Sequence, residues 1–287
     1  MSRTRQRIGV WESVLVHGTL LLAVAFALYP VLWVLSLAVS GDTTPEPRVI
    51  PLPEAPTLSH FGEVMMGDAT DGGTGLFWRQ LLNSLVVSMS TALVGVAIAI
   101  PAAYALARFE FVGKRAGLGA LIATQMFPAV ASAVPLYILL EALGLLNSRT
   151  GLVLCYATTA VPFAIFQLRA AFEAIPIELE EAAMVDGATR AQAFVRVVLP
   201  VVRPAIAVTS LFAFISAYNE FILAATLLGR EEAFTLPVVL QRYVGEHEAN
   251  WPAFAAGAVL VSVPVMALFY ALQKHLVAGL TAGAVKG

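Results

Sequence analysis

The chain has 287 residues, of which 59% are hydrophobic and 13% charged, and its mean hydropathy is +0.82. So little polar surface cannot clothe a water-soluble globule of this length, which excludes a soluble fold and indicates an integral membrane protein. The formal net charge of −2 excludes nothing by itself, because in a membrane protein the placement of charges outweighs their sum.

A bilayer core requires about 20 apolar residues per helix. Stretches free of Asp, Glu, Lys and Arg run over 13–41, 80–107, 116–140, 150–168 and 249–273, and a sixth over 204–219 stops at Glu220 and resumes as apolar chain over 221–229. The fold class expected is therefore an all-α polytopic membrane protein with six transmembrane helices. The first span follows the basic stretch "RTRQR" and so resembles the start of a signal peptide, but it is about twice the length of a signal's apolar region and is read as a retained helix. The expected organisation is an N-terminal segment 1–12, the first span 13–41, a loop 42–79, a core 80–278 carrying five further spans, and a tail 279–287.

Orientation follows from Lys and Arg. Arg3, Arg5, Arg7, Arg108, Lys114, Arg115, Arg169, Arg190, Arg196, Arg203, Lys274 and Lys286 fall on one side of the spans, against Arg48, Arg79, Arg149, Arg230 and Arg242 on the other. Twelve against five places both termini in the cytoplasm by the positive-inside rule. On the outer side, loop 42–79 is rich in Pro and Gly and reads as extended and irregular, and loop 230–248 is the second long one. Pro30, Pro101, Pro128, Pro135, Pro162 and Pro264 punctuate the spans, where they are expected to kink or end helices.

The one long inner segment lies between the fourth and fifth spans, 169–203, and contains "IPIELEEAAMVDGATRAQAFVRVVLPVVRP". Pro176 suits a first helical turn, and Glu178, Glu180 and Glu181 near that end favour the helix dipole. Asp186 and Gly187 then break the helix, since Gly readily adopts the positive φ of a helix C-terminus. Thr189 and Gln192 have capping-box spacing, which predicts a second helix through Phe194 toward Leu199 and Pro200. Ala182, Ala183 and Ala188 beside Gly187 make a small-residue surface suited to close approach by another protein; an amphipathic interfacial helix pair is the alternative reading.

"EEAAMVDGATRAQAFVRVVLP" resembles the EAA loop of ATP-binding-cassette (ABC) importer permeases at Glu181, Ala182, Ala183, Gly187, Val198, Leu199 and Pro200. "QMFPAV" at 125–130, "YNEF" at 218–221 and the ending "GLTAGAVKG" resemble the carbohydrate-uptake branch, and within it the maltose and maltodextrin type; the resemblance covers nearly the whole chain, although loop 42–79 is shorter than in the best-known members. The resemblance implies a type I importer permease fold in the bacterial cytoplasmic membrane. It also implies a coupling hairpin over 176–200, Asp186 included, that seats in a homodimeric cytoplasmic ATPase. A second permease subunit and an extracytoplasmic sugar-binding protein are the other implied partners. The match of the ending implies a further ATPase contact through the tail, with Thr281, Gly283 and Lys286. No Gly-x-x-x-x-Gly-Lys-Ser/Thr stretch and no Gly-x-Ser-x-Gly stretch occurs, so the chain is expected not to be an enzyme, to hold no cofactor and to leave ATP and Mg²⁺ to the partner ATPase.

Glu220 is the one acid within an apolar span and needs a partner or a watery path. With Tyr218 and Asn219 it is a candidate for the transport route or the interface with a second permease; a structural carboxylate hydrogen-bonded to its surroundings is the equal alternative. Phe212 and Phe214 are further aromatic candidates for a sugar site. Arg169 reads as a snorkelling side chain at a span end. Cys155, the single cysteine, reads as a small buried hydrophobe, and His17, His60, His247 and His275 are too scattered to ligate a metal. A secondary transporter driven by an ion gradient is the competing functional class, but the two halves show no convincing repeat and the EAA-like segment has no role in it.

Overall fold

The computed structural model describes residues 9–41, 49–53, 55–67, 75–245 and 249–283, apart from the side chains of 129 and 274–283. Long helices dominate: α1 (Val10–Ala38), α3 (Leu76–Arg108), α6 (Arg149–Glu173), α9 (Leu199–Tyr218) and α12 (Trp251–Gly283). Shorter ones are α2 (Ser59–Met66), α4 (Lys114–Met126), α5 (Ala129–Ala142), α7 (Glu178–Val185), α8 (Arg190–Ala193), α10 (Ile222–Leu227) and α11 (Leu236–Arg242). Among the described residues, five helices are long and apolar enough to cross a membrane, and the pair Lys114–Met126 and Val130–Ala142 makes up to a sixth span, bent by 100°.

That bend is the main departure from six uninterrupted spans. It falls at Phe127 and Pro128, where both residues are extended. A proline there lacks the N–H that a continuing helix needs and pushes its predecessor out of the helical region. Pro30, Pro101, Pro135, Pro162 and Pro264 instead lie inside continuous helices. Loop 42–79 is not wholly irregular, since it contains α2, which the sequence pattern did not signal.

The chain divides into two compact units. The first comprises 1–73 and 243–260. In it, α1 buries only Ala38, as expected of a helix apolar all round. Buried His60 bridges Ser40 O (3.1 Å) and Glu63 (3.2 Å), and Glu63 also accepts from Asn250 Nδ2 at 3.0 Å.

The second unit comprises 74–242 and 261–287 and holds the main core. Here α3 and α6 run parallel and α9 packs on both. Gly95 faces Ala160 so closely that an added Cβ would lie 3.3 Å from the alanine methyl. Small residues let the helix backbones approach, as packing within lipid favours. At one end of the pair, Arg149 Nε donates to Asn83 Oδ1 (2.8 Å); at the other, Arg108 Nη2 donates to Ile175 O (2.9 Å), just past α6. The second end carries the hairpin.

Candidate functional site

The hairpin forms as its local sequence dictates. Pro176 and Ile177 carbonyls accept the first N–H groups of α7, from Leu179, Glu180 and Glu181. At its far end Gly187 sits at φ +89°, Gly187 N–H donates to Met184 O (3.1 Å) and Ala188 N–H to Ala183 O (3.0 Å). These are the two bonds of a Schellman termination, with Gly187 as its left-handed residue. Thr189 then opens α8 with a reciprocal capping box: its Oγ1 accepts from Gln192 N–H (3.3 Å), and Gln192 Oε1 accepts from Thr189 N–H (2.9 Å).

The second arm differs from expectation in its end. It does not stop near Leu199 and Pro200 but passes through a π-helical turn, Phe194–Val198, directly into α9. Pro200 lies at the start of α9, where a missing N–H is tolerated because the wider turn before it already interrupts the ordinary hydrogen-bond ladder. The fifth span and the hairpin therefore share one continuous helical backbone.

Of the three acids in the first turn of α7, only Glu180 is buried. Its carboxylate accepts from Arg108 Nε (2.6 Å) and Tyr104 Oη (2.6 Å), both on the last turns of α3. The Arg108 and Glu180 side chains are 8% and 6% exposed, so the pair is shielded from solvent and well satisfied. Tyr104 stands in an aromatic cluster with Phe109, Phe172 and Phe194, and Arg190 lies over the Phe109 ring at 5.2 Å. α3 and α7 thus meet at the carboxylate, while α6 and the π-turn pack on the Tyr104 ring that bonds it. The adjoining turn keeps its acid at the surface: a hydrogen bond from Lys114 Nζ (2.8 Å) holds the Glu110 carboxyl below its ordinary value.

Glu181, Ala182, Asp186 and Gly187 are exposed, and Ala183 and Ala188 half-buried, so the hairpin turns a small, acidic surface outward. Leu199 and Pro200 are half-buried at the root of the second arm. Arg169 pairs with Glu173 on the surface of α6 (2.7 Å). Sequence reasoning missed Glu180 as an anchor. Its signal was available only in the α7 phase, which turns one of three similar acids inward.

Tyr218, Asn219 and Glu220 stand in different surroundings. Tyr218 is buried, stacks on Phe214 and donates to Val261 O (3.0 Å), while Asn219 ends α9 with an exposed side chain. Glu220 turns back to accept from Leu223 N–H (2.8 Å) and Ala224 N–H (3.1 Å), capping α10 where the span breaks. Phe212 is half exposed and meets Phe163 edge to face. Cys155 is buried in the core as expected, and no group of three metal-ligating side chains occurs among the described residues. α12 continues as helix to Gly283, so the backbone at Thr281 and Gly283 is helical despite its Gly and Ala content; propagating an established helix costs far less than starting one. Lys286 lies outside the described residues.

Residues 95–282 match the family model described as binding-protein-dependent transport system inner membrane component. The chain is 37% identical to the trehalose transport system permease protein SugB of Mycobacterium tuberculosis, over 93% of this chain and 95% of that protein. It is 35% identical to the maltose/maltodextrin transport system permease protein MalG of Vibrio parahaemolyticus, over 97% and 96% respectively. Its fold superposes with a TM-score of 0.73 and 27% identity, covering 96% of this chain and 99% of the other, on a chain from the crystal structure of a bacterial ABC transporter involved in the import of the acidic polysaccharide alginate. With its apolar helices, its anchored hairpin and these likenesses together, the chain belongs to the family of binding-protein-dependent transport system inner membrane components.

Proposed function

We propose that this chain is a transmembrane permease subunit of an ATP-driven, binding-protein-dependent sugar importer of the bacterial cytoplasmic membrane, with both termini cytoplasmic. It lines the translocation path with a second permease. ATP and Mg²⁺ are bound and used by a homodimeric cytoplasmic ATPase, and an extracytoplasmic binding protein delivers the sugar. The observation that carries this reading is the hairpin: a small-residue, acidic surface held out from the bundle by the buried Glu180 anchor, at the EAA-like stretch. The sugar proposed is an α-glucoside, maltose or maltodextrin first and trehalose next, since the named relatives transport these.

Glu181, Ala182, Ala183, Asp186, Gly187, Leu199 and Pro200 form the ATPase contact in this reading. The tail with Thr281, Gly283 and Lys286 adds a second contact, raising assembly affinity through local concentration. Loop 230–248 reaches toward the docked binding protein.

The test is uptake of labelled maltose and trehalose into vesicles holding the purified assembly. Uptake that requires internal ATP and added binding protein supports the reading; uptake driven by an ion gradient alone overturns it. Deleting residues 281–287 is expected to lower ATPase retention without altering insertion of the last span, and full retention removes the tail from the contact.

A further inference from the structure

At the end of α3 and α6 opposite the hairpin, a cavity of about 290 Å³ is lined by Arg79, Asn83, Asn147, Arg149, Arg230 and Glu232, with Ala233. Three arginines and one glutamate thus line one recess. They arrive from three separate parts of the chain: the first turn of α3, the first residue of α6 and the segment after α10. The fold, not a local charge run, brings them together.

The frame around them is rigid. Buried Asn83 donates to Glu232 O (2.8 Å) and Phe234 O (3.0 Å) and accepts from Arg149 Nε. Asn147, at φ +56°, accepts from the backbone N–H groups of Gly229 and Arg230 and so fixes Arg230 at the rim. Gln80 Nε2 donates to Glu231 O (3.1 Å), and the Glu231 carboxylate is already taken by Arg242 (2.8 Å). Among the described residues, Arg79 and Arg230 have no ion pair, which leaves an excess of positive charge in a recess with ordered walls.

We infer that this cavity is the seat of a carboxylate side chain, Asp or Glu, projecting from the extracytoplasmic binding protein. The proposal rests on the functional reading above, whose orientation puts this end outside. Guanidinium forks match a carboxylate in plane and in hydrogen-bond geometry. A recess of this kind receives a protruding side chain, whereas lipid headgroups would meet basic groups spread over an open surface.

The test uses the complete assembly in nanodiscs of phosphatidylcholine and the purified solute-binding protein that stimulates the wild-type ATPase. The double variant R79E/R230E removes outer positive charge, a change that does not oppose the wild-type topology. Its half-maximal binding-protein concentration is expected to rise by about tenfold or more, with the maximal rate kept, while R79K/R230K, which keeps the charge but loses the planar fork, shows a clearly smaller rise. The wild-type value is expected to climb between about 50 and 300 mM NaCl and that of the reversed variant to stay flat or fall. Equal half-maximal concentrations and salt slopes in wild type and R79E/R230E would overturn the proposal and leave the functional reading standing. A defect that appears only in nanodiscs containing phosphatidylglycerol makes the cavity a headgroup site and overturns it too. If no binding protein stimulates the wild type, the functional reading falls and takes the proposal with it.

Discussion

Glu180 and Arg108, 72 residues apart in sequence, meet at 2.6 Å in a pocket closed to solvent, and Tyr104 completes the carboxylate's bonding. A buried pair of this kind says little about net stability but penalises the loss of one partner heavily. Glu180→Ala is expected to cost about 3–5 kcal/mol by leaving Arg108 uncompensated. Glu180→Ala with Arg108→Met is expected to recover part of that loss. Thermal unfolding of the detergent-solubilised subunit, with protease cleavage in 176–200 as a local probe, reads both. Equal behaviour of single and double variants would refute the coupling between the two side chains.

Gly187→Val tests the hinge of the hairpin. An added Cβ there meets nothing within 4 Å, so crowding is not the issue; the φ of +89° is. A β-branched residue in that region costs about 1–3 kcal/mol, whereas Asn tolerates left-handed backbone more readily. Uptake is expected to fall strongly in Gly187→Val and mildly in Gly187→Asn, with membrane insertion normal in both. Identical transport in the two variants would remove the backbone argument.

Gly151→Ala addresses the start of α6. A Cβ at this position would overlap the Leu145 carbonyl oxygen and crowd the tip of Leu140; the leucine tip can shift, but the carbonyl cannot withdraw without moving the turn that Ser148 caps. A loss of about 1–3 kcal/mol is expected, as for other overpacked sites. Gly117→Ala is the matched control, because its Cβ meets nothing and it lies within α4; there the change should be neutral or slightly stabilising. Melting temperatures of the two variants decide the matter.

Glu220→Ala and Glu220→Gln separate a capping carboxylate from one that handles cargo. The cap satisfies two backbone N–H groups of α10, and stripping it should cost about 1–2 kcal/mol. Gln retains an acceptor oxygen and should retain most of the stability and uptake. A carboxylate needed for transport would instead lose uptake equally in both variants while the melting temperature held.

What could be read from sequence was what local rules govern. Gly187 and the Thr189–Gln192 pair announce a helix stop and a helix start within a few residues of each other, and both appear as expected. The phase of α7 is different: Glu178, Glu180 and Glu181 are chemically alike, and only the position of α3 selects Glu180 for burial. The convergence of Arg79, Arg149 and Arg230 was equally silent, since each reads alone as an ordinary charge at a span end. The break at Phe127 and Pro128 was half legible. Proline marked six places in the spans, and nothing local distinguished the one at which the helix turns by 100° from those that continue.

The π-helical turn at Phe194–Val198 has a bearing on insertions and deletions. Such a turn accommodates one residue more than an α-helical path of the same connectivity, and each residue in an α-helix advances the azimuth by about 100°. Removing exposed Val195 would allow an unbroken α-register from α8 into α9. Because the wider turn absorbs that residue, its removal would leave the helix on either side on nearly its present bearing. Deleting a residue from the regular helix of α9 has no such buffer: it would rotate everything before it by about 100°, taking Phe194 off the face of Tyr104 and turning Glu181 and Ala182 along a new bearing. The direction in which the hairpin presents its acidic surface is therefore encoded in a residue count, and is open to change by a one-codon deletion that alters no residue in α7.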